Sequence, residues 1–237
     1  MSETHVEGKN AVRRSRVHRI ILVFGLIFVQ AATLFVSAGT LLWLRAWIYI
    51  GLFVSILGVM GIIISKVNPG LMGHRGKIKS GTKRFDKIFY TIFYPVFCTM
   101  LAVAGLDAVR FGWSFMPGSL ALVGITLGVL GFSIVLWAMA TNAHFESTVR
   151  IQKDRSHHVV TTGPYQYVRH PGYVGMIFMY CGVPLILGSS WALAPAFLLA
   201  VLVVIRTALE DLTLRKELPG YTEYTEATHF RLLPGIW

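Results

Sequence analysis

Between Ile151 and Tyr173 the chain reads IQKDRSHHVVTTGPYQYVRHPGY, a segment dense in His, Arg, Tyr, Gly and Pro that lies between two long apolar runs. Its charges therefore belong at a membrane surface or in a protein-lined cavity at membrane depth, where irregular polar backbone usually serves a site. Gly163 allows a positive φ, and Pro164 fixes the next φ while withholding a backbone donor. Arg169-His170-Pro171-Gly172-Tyr173 bends again, with Pro171 near the first turn of the helix that follows. Two bends so close together fold the segment back and present backbone N–H and C=O groups to a ligand. Tyr165, Tyr167 and Tyr173 offer ring faces and hydroxyls suited to a purine or a sulfonium cation; tyrosines also anchor chains at headgroup depth. His170 is a candidate base, hydrogen-bond donor or metal ligand. Its place beside a proline at a helix start favours orientation and binding over proton transfer. His157 and His158 are adjacent, a poor arrangement for a metal without a third ligand, so no metal is expected.

One hydrophobic hairpin later stands Arg206-Thr207-Ala208-Leu209-Glu210-Asp211. On a helix Arg206 and Glu210 share a face four residues apart, which makes an ion pair the simplest reading. At the end of a membrane run both charges are costly unless paired or used. The acid suits a ribose hydroxyl or a cationic cofactor, and the arginine a substrate carboxylate.

The rest of the chain must hold these groups in place. Of its 237 residues 54% are hydrophobic and 14% charged, and mean hydropathy is +0.61. This describes an all-α integral membrane protein and excludes a soluble domain. Apolar runs at Ile20–Ala38, Ala46–Ser65, Ile88–Leu106 and Gly118–Ala140 read as four spans. The first has signal-peptide-like flanks but is long enough to be retained as a span. Pro95 in the third run is tolerable among neighbouring helices. Gly124, Gly128 and Gly131 in the fourth permit close helix contact. Two shorter runs, Val174–Leu187 and Trp191–Ile205, read as a helical hairpin, bringing the count to about six, with no further span in Arg206–Trp237. Cys98 and Cys181 lie in apolar runs and read as small core residues.

The distribution of charge sets the orientation. The net charge of +11 would suit nucleic acid, but 20 of the 22 lysines and arginines fall in four places: the arm at 1–19, the loop at 66–87, the loop at 150–169 and the tail. Only Arg45 and Arg110 fall on the other side. This bias places both termini, the polar loop and the tail in the cytoplasm, and leaves no need for a nucleic-acid partner. The arm is expected to be frayed or to lie on the membrane surface. Residues 20–140 form a four-helix membrane region, and 141–237 carry the chemistry.

GPYQYVRHPGYVG, followed by RTALED and ELPGYTEY, resembles the isoprenylcysteine carboxyl methyltransferases and, more widely, the membrane phospholipid methyltransferases. The resemblance covers about Asn142–Trp237. It implies a lipophilic or prenylated substrate entering from the bilayer and S-adenosyl-L-methionine as cofactor, bound without a Rossmann domain; no glycine-rich dinucleotide fingerprint occurs here. It further implies that Gln152, His157, His158, Val159, Val160, Gly163, Tyr165, Arg169, His170, Pro171, Gly172 and Tyr173 hold the cofactor. Arg206 would face the acceptor and Glu210 the cofactor. The alternative within the same chemistry is amine methylation of a phospholipid headgroup, with His170 or Glu210 as base. Another is an NADPH-dependent sterol reductase, with Lys153 and Arg155 taking the 2′-phosphate. A third is a non-catalytic membrane scaffold.

Overall fold

The apolar runs become helices, because a chain in lipid must satisfy its backbone hydrogen bonds internally. The computed structural model describes residues 3–74 and 81–237, with side chains described at 20–71, 81–152 and 154–237. Every regular element among them is helical: α1 (Glu3–Ala38), α2 (Leu44–Val67), α3 (Pro69–His74), α4 (Arg84–Gly105), α5 (Ser119–Thr141), α6 (Pro171–Leu187), α7 (Leu193–Glu217) and α8 (Tyr221–Ala227). A π-turn, Leu106–Phe111, extends α4. Five helices are long and apolar enough to cross a membrane, and α6, at 17 residues, is shorter. Bulky apolar side chains such as Phe24, Phe28, Leu122 and Phe197 point outward, as expected where lipid is the solvent. The chain is an integral membrane protein.

Three expectations change. The arm is part of a helix that begins at Glu3, although its basic side chains lie outside the described residues, as does 75–80 of the basic loop. The last long helix does not stop near Ile205: α7 runs unbroken to Glu217, carrying Arg206, Glu210 and Asp211 on one continuous rod. Of the two hairpin helices only α6 is short. It still passes between the two ends of the bundle, because it packs on α5 for most of its length.

That packing depends on glycine. A Cβ on Gly131 would stand 2.4 Å from the carbonyl oxygen of Gly175, and one on Gly124 would stand 2.6 Å from that of Gly182. The two backbones therefore touch directly. Gly131→Ala is expected to destabilise the bundle by roughly 1–3 kcal/mol through overpacking. Gly58→Ala, at a helical glycine with nothing within 4 Å of its would-be Cβ, should be neutral or stabilising by up to about 1 kcal/mol. Thermal unfolding in detergent of both variants checks the contrast; equal effects would contradict it.

The two ends of the bundle differ. At one end Asp107 is fully buried and accepts hydrogen bonds from Ser114, Ser189 and the Trp191 N–H, tying the α6–α7 turn to the end of α4. At the other end the long polar segment 142–170, the start of α4, the end of α7, α8 and the tail converge. The tail is pinned there by Arg169 N–H donating to Phe230 O at 2.9 Å and His170 N–H to Arg231 O at 3.0 Å.

Candidate active site

The polar segment folds over the ends of α4, α6 and α7 and encloses a cavity of about 180 Å³. Its walls include Gln152, His157, His158, Val159, Val160, Tyr165, Arg169, His170, Pro171, Gly172, Tyr173, Arg206 and Glu210. The structure thus brings together residues up to 58 positions apart that the sequence singled out. Gly163 is not among them. Its φ of +58° makes the bend, and a Cβ there would meet Thr141 Oγ1 at 2.8 Å, so it shapes the wall from behind.

Arg206 lines this space from α7, with its side chain 4% exposed. Its ion-pair partner is Asp86, in the first turn of α4, and not Glu210: Nε donates to Asp86 Oδ1 at 2.8 Å. Nη2 donates to Ser147 O at 2.8 Å, and Tyr90 donates to the same carbonyl. Cζ lies 4.7, 5.1 and 5.2 Å from the ring centroids of Phe89, Tyr90 and Tyr173. The guanidinium is thus held by a carboxylate, a carbonyl and three aromatic faces. Asp86 also accepts the Val149 N–H at 2.9 Å, which fastens the polar segment to α4. Glu210 takes the Tyr173 hydroxyl hydrogen bond. The expected Arg206–Glu210 pair is replaced by two pairs that span the fold.

Asp211 is the second organising acid. It is fully buried and accepts Arg169 Nε at 2.8 Å and Nη2 at 3.2 Å, Arg231 Nε at 3.0 Å and the Tyr221 hydroxyl at 3.0 Å. His170 Nε2 lies 3.4 Å from it and 3.3 Å from the Tyr221 oxygen. Arg169 Nη1 donates to Thr228 O and His229 O at 2.9 and 3.0 Å. Arg169 is therefore a clamp between α7 and the tail, with its donors spent inside the protein. His170 stacks on Tyr173 with ring centroids 5.7 Å apart.

Gln152 is likewise committed. Only 2% exposed, it donates through Nε2 to His144 O at 2.7 Å and accepts Arg155 Nη1 at 3.0 Å. It shapes the loop, and that bond occupies one donor a 2′-phosphate would use; the side chain of Lys153 lies outside the described residues. Three imidazoles meet nearby, with the ring of His144 4.6 Å from that of His157 and 4.7 Å from that of His158. Burial first, then the neighbouring imidazoles, pull the His157 pKa down to about 4, and burial lowers that of His144. Both rings are neutral near pH 7. Among the described residues no group of three His, Cys, Asp or Glu is placed to hold a metal ion.

Asp86, His144, Asp211, Tyr221 and Tyr224 were not selected from sequence. Tyr224 donates to Tyr165 O at 2.5 Å and Asn142 Nδ2 to the Tyr165 hydroxyl at 3.2 Å, so α8 and the end of α5 jointly set the Tyr165 ring. ELPGYTEY, quoted above only as part of the resemblance, carried the signal for two of them.

Residues 120–218 match the phospholipid methyltransferase family model. The chain is 33% identical over 127 residues to the cobalt-zinc-cadmium resistance protein CzcN of Cupriavidus metallidurans, covering 52% of this chain and 56% of that protein. It is 33% identical over 82 residues to the protein-S-isoprenylcysteine O-methyltransferase of Saccharomyces cerevisiae, covering 34% of each. The chain thus spans about half the length of the first of these relatives and a third of the second. A solved structure of a eukaryotic intramembrane Ras methyltransferase, an isoprenylcysteine carboxyl methyltransferase, superposes with a TM-score of 0.52 at 19% identity, covering 88% of this chain and 73% of that one. The fold is shared.

Proposed function

We propose that this chain, an isoprenylcysteine-methyltransferase-like member of the phospholipid methyltransferase group, O-methylates the carboxylate of a lipophilic acceptor, with S-adenosyl-L-methionine as methyl donor. The observation that carries the reading is Arg206, clamped through Nε and Nη2 on the wall of the cavity that Tyr173, Glu210 and the polar segment complete.

The walls fit such a cofactor. Val159, Val160 and Leu214 give apolar surface for a purine, while Glu210 beside Tyr173 gives a carboxylate and a ring face for a cation. When bound, S-adenosyl-L-methionine supplies an electrophilic methyl group on a sulfonium. With it held there, transfer of that methyl to the acceptor carboxylate would leave a methyl ester and S-adenosylhomocysteine. No proton moves, so the protein's part is alignment and exclusion of water, which is worth on the order of 7–11 kcal/mol. Arg206 orients the acceptor oxygen, Glu210 and Tyr173 hold the cofactor end, and the cavity at the end of the bundle admits the acceptor from the bilayer and the cofactor from the aqueous side. The Lys/Arg distribution supports a cytoplasmic location for that side and for both termini.

Amine methylation of a phospholipid headgroup is the second reading. The Asp86–Arg206 ion pair favours it, because the guanidinium already has a carboxylate partner.

Calorimetric titration of the detergent-purified chain tests the cofactor assignment. Binding of S-adenosyl-L-methionine and S-adenosylhomocysteine, without NADPH binding, is the expected result. Binding of NADPH alone would move the chain to the reductases.

A further inference from the structure

A second hollow, of about 320 Å³, lies against α4 and is lined by Thr82, Lys87, Tyr90, Thr91, Tyr94 and Thr148. Tyr90 and Thr148 also line the active-site cavity, so the two spaces share a wall. Lys87, Tyr90, Thr91 and Tyr94 fall at i, i+3, i+4 and i+7, which puts them on one face of the helix. At about 1.5 Å per residue this stripe reaches about 10 Å into the span from its polar end. Tyr94 is 53% exposed, and Ile88 and Ile92 beside the stripe also point outward, so this flank of α4 meets lipid.

A lysine and two tyrosines near a helix end would, taken alone, be an interfacial anchor. The placement of Tyr90 distinguishes this set. Its hydroxyl donates to the Ser147 carbonyl that also accepts Arg206 Nη2, and its ring centroid lies 5.1 Å from Arg206 Cζ. The same ring stacks on Tyr94 with centroids 5.6 Å apart. The residue that helps hold the guanidinium thus begins an aromatic wall that leads out to the bilayer. An acceptor whose carboxylate sits at Arg206 must put its hydrocarbon chain somewhere, and leaving that chain in water is unfavourable.

We propose that this hollow is the tail subsite of the acceptor: the hydrocarbon chain lies along Tyr90, Thr91 and Tyr94 while the carboxylate reaches Arg206. Thr91 and Tyr94 are then the residues that select chain length. The proposal rests on the acceptor reading given under the proposed function. The room beside the two rings exists because residue 91 is small. Thr91 is exposed and its hydroxyl donates to Lys87 O within the helix, so a larger side chain there fills the hollow without touching the pairs that hold Arg206.

The test is methyl transfer by the full chain, as wild type and Thr91→Trp, to N-acetyl-S-farnesylcysteine and to N-acetyl-S-prenylcysteine, which carries a single isoprene unit. The ratio of kcat/KM for the long acceptor over the short one is expected to fall about tenfold in Thr91→Trp, as loss of apolar contact by about two methylene groups would give. Retained S-adenosylhomocysteine binding shows that the variant is folded. An unchanged ratio overturns the tail subsite and leaves the methyltransferase reading standing. A second readout uses the wild type and needs no turnover. A photoreactive diazirine at the end of the long tail should attach within residues 87–94, and unlabelled N-acetyl-S-farnesylcysteine should displace it. Attachment confined to other helices, or none that the competitor displaces, overturns the proposal. Displaceable attachment at 87–94 in a chain that methylates neither acceptor would leave the subsite standing and overturn the O-methylation reading instead.

Discussion

Arg206→Met is expected to cut methyl transfer by about 10²–10³-fold, the scale for removing one oriented donor at a reacting centre. Cofactor affinity should stay within about threefold. The same change strands Asp86, which is fully buried and keeps only the Val149 N–H as a hydrogen-bond donor. Removing one member of a buried pair costs roughly 3–5 kcal/mol, whereas replacing both with neutral groups can be nearly neutral. Arg206→Met should therefore lower thermal stability sharply. Adding Asp86→Asn should recover most of that stability while leaving turnover as low as in the single variant. The double variant separates holding the fold from serving the reaction. Recovered turnover in the double variant would show that Arg206 acts only through stability.

Asp211→Ala is expected to have the largest structural effect. One carboxylate receives Arg169 twice, Arg231 and Tyr221, and these partners come from the polar segment, the tail and α8. Arg169 keeps its bonds to Thr228 O and His229 O, but its buried charge loses its counter-ion, at a cost of roughly 3–5 kcal/mol. The α1–α5 region does not depend on Asp211, so the change should loosen residues 219–237 more than the bundle. Limited proteolysis should then cut the tail of Asp211→Ala while the bundle survives, and S-adenosylhomocysteine binding should disappear. An intact tail with wild-type affinity would show that the four hydrogen bonds are dispensable.

These predictions concern residues the sequence showed unequally. Hydropathy located the helices, because a membrane span leaves a long, continuous signal. The polar segment stood out because its composition breaks so sharply from the runs around it. The glycines of α5 were read as a packing surface, and they are one. What escaped has long-range partners. Asp86 reads as one acid at the edge of a basic loop, and nothing near it in sequence points to Arg206, 120 positions away. Conversely, the i,i+4 spacing of Arg206 and Glu210 suggested a local pair that the folded chain does not make. Arg169 and Gln152 were read as cofactor ligands from their place in a motif. Both line the cavity, and their hydrogen bonds to Asp211 and to the His144 carbonyl arise only in the folded chain, which residue type and order do not carry. His144 lay just upstream of the segment that drew attention, and its ring meets those of His157 and His158 only once the segment has folded.

The measurement that bears most directly on the central claim is transfer of labelled methyl from S-adenosyl-L-methionine by the purified chain. Two acceptors are offered side by side, a prenylated cysteine bearing a free carboxylate and an aminophospholipid, and the labelled lipid is then treated with mild alkali. Carboxyl O-methylation predicts label on the prenylcysteine that alkali releases as methanol, and its loss in Arg206→Met. Alkali-stable label on the phospholipid amine would contradict the assignment and make the chain a headgroup N-methyltransferase.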